Sequence, residues 1–182
     1  EAVEIVAEDG AHLAGGSVQD WDAGSVHTAA HRIRLGRDAT VKHIAVTLGG
    51  DVVRITPDAE FVGEGASVEM LGVYYADAGQ HQEQRLFVDH AVPNCKSRVT
   101  YTGALQAERA HTVWVGDVPI RTEPDGTDPY ELTRNLVPTA GPRADSVPHL
   151  ELATGPPQGA GHAVHPRRPA HGQRFFQPAR AH

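Results

Sequence analysis

Between Ser25 and about Leu152 the chain is a succession of short runs with period-two alternation, each closed by a turn. This pattern restricts it to an all-β architecture. Ile44, Val46 and Leu48 alternate with His43, Ala45 and Thr47. Leu86, Val88 and Val92 fall on one face with Phe87 and Asp89 on the other, and Val113 and Val115 flank Trp114. Gly49-Gly50-Asp51, Gly63-Glu64-Gly65, Pro93-Asn94 and Pro124-Asp125-Gly126 punctuate the runs, supplying the special φ values that tight turns need. Only Tyr130 to Leu136 suggests a helical stripe, and it is short.

A small residue followed two to four positions later by valine recurs at Ala39/Val41, Ala66/Val68, Cys95/Val99, Ala110/Val113 and Ala144/Val147. The spacing is uneven, yet it suits a β-solenoid, in which each coil stacks only on its neighbours and small side chains fill tight inner corners. Short strands with Gly/Pro turns support a β-sandwich or jelly roll equally well. Alternation alone leaves both open.

Composition narrows the function. A chain of 182 residues with 40% hydrophobic and 21% charged residues has the makings of one packed domain. A net charge of −7 argues against nucleic acid as a partner, because phosphate binding needs a basic surface. No apolar run is long enough to span a membrane, and no signal peptide is visible. The single cysteine, Cys95, rules out an internal disulfide framework and fits a reducing, cytoplasmic setting. From Val137 onward eight of the thirteen prolines accumulate, so the C-terminal part is poorly suited to regular coils. The expected division is a β-rich core over residues 1–152 and a Pro/His-rich, diverged or irregular segment over residues 153–182.

Three groups of motifs carry a family resemblance. D-G-T-D-P-Y-E-L-T-R-N-L from Asp125, A-D-S-V-P-H-L-E-L from Ala144 and G-A-G-H-A-V from Gly159 follow one another in order. Upstream stand F-V-D-H-A-V-P-N-C-K-S from Phe87 with Y-T-G-A-L to Leu105, and V-W-V-G-D-V-P-I-R from Val113. Together they resemble the core of SufD, within the SufB/SufD family of iron–sulfur cluster assembly scaffold subunits, from about Val18 to about Ala163. The resemblance implies a right-handed parallel β-helix, with the family's flanking helical regions missing from this stretch. SufB-like chains carry a cysteine just before the Asp-Ser pair; here that residue is Ala144, which makes the likeness one to SufD. Pro138, Pro142, His149 and the Val-His-Pro-Arg-Arg run after Ala163 depart from the family pattern.

The resemblance also bears on the candidate residues. A neutral imidazole ligates iron or zinc and moves protons near neutral pH, and His162 stands among small residues that permit close approach. An exposed histidine in a Gly-rich turn is the commoner case; in SufD-like proteins this histidine lies at the SufB contact and is implied in building the nascent cluster. Cys95, as a thiolate, would bind sulfur or iron, whereas a buried thiol is simply a small hydrophobe. His162, His165 and His171 have H-x-x-H-like spacing, but no cysteine lies nearby to complete a zinc set. His81 and His90 are expected on strands with backbone or carboxylate partners such as Asp89. Glu131 and Asp145 form no recognisable acid/base pair, and Arg134 with Asn135 is expected to end a coil.

The function implied is a non-enzymatic scaffold subunit that pairs with a SufB-like protein and builds a transient iron–sulfur cluster at their interface. A SufC-like ATPase would bind through the missing C-terminal helices, and a reduced flavin is associated with the family's complex, although no flavin motif is present. Alternatives from other classes are a β-helix enzyme acting on polysaccharide and a β-sandwich binding module.

Overall fold

The structure, a computed structural model, describes residues 1–121, 126–152 and 161–167, the last stretch and Leu152 through their backbone pairing. Among the described residues, twelve strands form two six-stranded sheets. The odd sheet holds β1 (Ala2–Ala7), β3 (Val26–Leu35), β5 (Val52–Phe61), β7 (His81–Asp89), β9 (His111–Ile120) and β11 (Arg143–Leu152). The even sheet holds β2 (His12–Trp21), β4 (Thr40–Gly49), β6 (Ser67–Ala76), β8 (Lys96–Leu105), β10 (Asp128–Leu136) and β12 (Gly161–Arg167). Every strand pairs in parallel with the strand two places along the chain. Successive strands therefore alternate between sheets, and the backbone winds as a parallel β-solenoid. A sandwich of antiparallel strands is excluded by that pairing.

One corner of the coil explains why the winding repeats. Gly10, Asp38, Gly65, Asn94 and Gly126 all have φ between 55° and 70° or slightly above, the left-handed bend that turns the chain into each even strand. The residue after each is small: Ala11, Ala39, Ala66, Cys95 and Thr127. Ala39, Ala66, Cys95 and Thr127 are fully buried. Backbone bonds join consecutive corners: Ser67 N donates to Ala39 O at 2.8 Å, Lys96 N to Ala66 O at 3.0 Å, and Asp128 N to Cys95 O at 3.0 Å. The recurrence of small residues in the sequence is this column. It is regular for the even strands; Val113, by contrast, lies on the outer side of β9, next to inward Trp114.

Ile33, Leu35, Ala59, Phe61, Val88, Met70, Val99, Tyr101, Trp114 and Val118 fill the middle of the rod. Nearer the ends, polar side chains point inward: Gln19, His31, His43 and Thr47 at one, Glu131, Thr133 and Asn135 at the other.

Two expectations are corrected, the helical stripe over Tyr130–Leu136 and the coil end at Asn135. Tyr130–Leu136 is no helix but most of β10, because pairing with β8 and β12 outweighs weak local propensity. In β4 the alternation runs opposite to hydropathy: His43, Ala45 and Thr47 are buried, and Ile44, Val46 and Leu48 face outward. Asn135 ends no coil; it is 4% exposed inside β10. Part of the Pro-rich region is also strand, since β12 pairs with β10 beyond residue 152.

Candidate functional site

Register along the even sheet sets Gly15, His43, Met70, Val99, Glu131 and His162 in one line across β2, β4, β6, β8, β10 and β12. In the backbone register His162 pairs with Glu131, and His165 pairs with Arg134. His171 lies outside the described residues.

Glu131 is 3% exposed, and neither carboxylate oxygen has a hydrogen-bond partner. Burial, with a smaller contribution from the like charge of Asp117, pushes its pKa up to about 8. At neutral pH the group is therefore mostly a neutral acid. It crosses the interior to the odd sheet, where Gly116 makes room: a Cβ there would lie 2.3 Å from Glu131 Oε1 and 2.5 Å from the Trp114 ring.

Beside it runs a hydrogen-bonded strut. Tyr74 Oη donates to Asn135 Oδ1 at 2.7 Å, and Asn135 Nδ2 donates to Ser146 Oγ at 3.1 Å. The strut links β6 and β10 to β11 across the core. Burial pushes the Tyr74 hydroxyl up to about 12, so it serves as a donor and not as a phenolate. An acid/base pair of Glu131 with Asp145 has no geometric basis, because Asp145 lies on the outer side of β11 with His111 and Arg143.

Cys95 is free and buried at the corner, its Sγ 3.4 Å from Pro93 O and 3.6 Å from Gly63 O. Burial pushes its thiol up, more than hydrogen bonds from Ala66 and Gly65 lower it. Those surroundings favour the packing role over the thiolate. His90 bonds through Nε2 to Ser97 Oγ at 2.9 Å, while Asp89 pairs with Arg121 at 2.9 Å, so the expected His90–Asp89 contact is not made.

Sequence reading missed a chain of outward groups on the odd sheet. His81 Nδ1 lies 3.1 Å from His111 Nδ1, and His111 Nε2 lies 2.9 Å from Asp145 Oδ2. The signal was present as the stacking distance, since His81 and His111 open β7 and β9 in direct register. Among the described residues no three His, Cys, Asp or Glu side chains converge as a metal set, and no helix is long and apolar enough to cross a membrane.

Comparison with known proteins adds a family. The family described as "SUF system FeS cluster assembly, SufBD core domain" matches residues 1–180. An iron–sulfur cluster assembly SufBD family protein of Mycobacterium tuberculosis (strain ATCC 25618 / H37Rv) is 54% identical over 167 residues, covering 88% of this chain and 42% of the relative. One from Mycobacterium leprae (strain TN) is 53% identical over 167 residues, covering 88% and 43%. A second SufBD family protein of the same M. tuberculosis strain is 24% identical over 150 residues, covering 82% and 18%. The chain spans less than half the length of these relatives.

Proposed function

This chain belongs to the SufBD family of iron–sulfur cluster assembly proteins, and from that membership we propose that it is the β-helix core of a SufD-like, non-catalytic scaffold subunit. The observation that carries the reading is the placement of His162 on β12, an edge strand among the described residues, in register with the buried neutral acid Glu131. An edge strand presents unpaired N–H and C=O groups, which a homologous β-helix can continue as an intersubunit sheet. The partner in this reading is a SufB-like family member. It is supported by the two SufBD proteins of one M. tuberculosis strain, to which this chain is 54% and 24% identical. Two unequal relatives in one organism are what a heterodimer of diverged sisters requires.

Within that pair His162 offers an imidazole to the iron or to a proton at the seam, and the thiolate ligand comes from the partner. Replacement of the partner's cysteine position by Ala144 supports this division. Cys95 is the weaker candidate, being buried with a raised thiol pKa. The iron–sulfur cluster is cargo, held transiently between the subunits. A SufC-like ATPase engages parts of the full-length protein beyond this span, a reduced flavin belongs to the whole complex, and the assembly works in the cytoplasm.

Co-purification tests the reading. The full-length protein, tagged in its native host, is expected to bring down a second SufBD family protein and an ATPase. Retention of neither, or saccharide-degrading activity in the purified protein, contradicts it.

A further inference from the structure

On the outer face of the odd sheet, four side chains form a line that the scaffold role does not use. His81 and His111 open neighbouring parallel strands in register, each about a third exposed. Their rings meet edge to face with centroids 4.8 Å apart, and their Nδ1 atoms approach to 3.1 Å. At the outer end of each ring stands a carboxylate. Asp145 Oδ2 is 2.9 Å from His111 Nε2, and Glu83 Oε2 is 3.8 Å from His81 Nε2, an ion-pair distance.

Both carboxylates are held ionised. For Asp145, partial burial is outweighed by hydrogen bonds from Arg143 and His111; for Glu83, it is outweighed by Arg85 and the nearby charge of Arg54. Asp145, an ionised carboxylate within hydrogen-bond distance, only accepts, so it favours the His111 tautomer with N–H on Nε2 and leaves the His111 Nδ1 lone pair aimed at His81 Nδ1. Glu83, at 3.8 Å, makes no hydrogen bond to His81, so His81 Nδ1 either donates its own proton to His111 or turns a lone pair toward a cation that the two rings share.

We propose that His81 and His111 form a binding site for a divalent first-row transition ion, held by the two Nδ1 atoms, with Asp145 orienting the His111 ring from behind and Glu83 adding its negative charge beside His81. Two imidazoles on one tetrahedral ion at metal–nitrogen distances near 2.1 Å have their nitrogens about 3.4 Å apart, so the observed pair needs to open by only a few tenths of an ångström. Imidazole suits Zn, Ni, Cu and Fe, and a carboxylate behind the ligating ring is the usual outer support of such sites. With two protein ligands the site is open, and its remaining positions go to water or to a ligand from another molecule. Arg54, Arg85 and Arg143 crowd the carboxylates and keep the affinity modest. The site lies on the sheet opposite to His162 and stands or falls independently of the scaffold reading.

The test is a Zn(II) titration of the full chain, followed through the imidazole nitrogen resonances of each histidine. Both Nδ1 signals, His81 and His111, are expected to move together to one equivalent of zinc. His111→Gln is expected to abolish the response at His81, and Asp145→Asn to weaken binding about tenfold with the backbone spectrum unchanged. Zinc that moves other histidines but leaves these two in place overturns the proposal. An unaltered response of His81 in the His111→Gln variant overturns it equally.

Discussion

Glu131 and His162 are direct register partners across the parallel β10–β12 pair. One is a buried acid with no hydrogen-bond partner, and the other is the histidine for which the resemblance to SufD implies a role. Thr133 and Asn135, further along β10, are also polar and buried. Burying unpaired polar groups there costs stability, a cost that the proposed handling of an ion or proton at a subunit seam would account for.

Glu131 makes stability depend on pH in a definite direction. Its carboxyl titrates near 8 in the folded protein and near 4.5 in the unfolded chain, so the folded state binds the extra proton between those values. Stability is then fully present at low pH and is lost as pH rises from about 4.5 to 8, at a slope of roughly 1 kcal/mol per pH unit. Thermal melts of Glu131→Gln, which mimics the neutral acid, are expected to gain on the native protein steadily from pH 6 to pH 8. Parallel melting curves across that range contradict the assignment.

His43 and His90 act in the opposite sense. Burial lowers both to about 4 from an ordinary 6.5, His43 with a smaller push from His31, so acid protonates the unfolded chain first. Their stabilisation is present above about 6.5 and is lost as pH falls toward 4. Two such groups outweigh the single Glu131 on the acid side. The melting temperature is expected to peak near pH 6.5, and His43→Phe with His90→Phe to flatten the acid limb. A melting temperature that rises monotonically on acidification rules this out.

Gly103 is fixed by what it touches. A Cβ at that position would lie 2.1 Å from the Tyr74 ring and 2.3 Å from Asn135 Oδ1, and the ring is pinned by its bond to Asn135. Gly103→Ala is expected to cost about 1–3 kcal/mol, and Gly15→Ala, which meets nothing within 4 Å, to cost far less. Equal unfolding midpoints for the two variants in urea contradict the packing described.

Cys95 is expected to resist thiol reagents in the folded protein and to react rapidly after unfolding, because it is buried and its thiol is raised. Cys95→Ala restores the residue found at Ala39 and Ala66 in the same corner and is expected to leave cluster maturation intact. Fast labelling of the native chain, or lost maturation in that variant, assigns the sulfur a chemical part.

The all-β character was legible because turns and period-two runs are local. The choice between wound rod and sandwich was not, since both use the same alternation; only the motif resemblance pointed to stacked coils. The corner column was half visible: Ala39, Ala66 and Cys95 recur at the coil spacing, but the coils differ in length and blur the repeat. In β4, hydropathy pointed the wrong way, because a strand's pattern names two faces without saying which is inside. His162 and Glu131 were both noted, yet their juxtaposition needed the register. His81 and His111 were invisible as a pair for the same reason.

In the proposed reading the rod presents His162 at a subunit seam where a cluster is built. The most direct test replaces His162 with Ala in the full-length protein and measures iron–sulfur enzyme maturation in cells alongside partner retention. Maturation is expected to fall about tenfold or more, as when a metal site loses a supporting group, while the second SufBD protein still co-purifies. Maturation at the native level with the partner retained contradicts the claim.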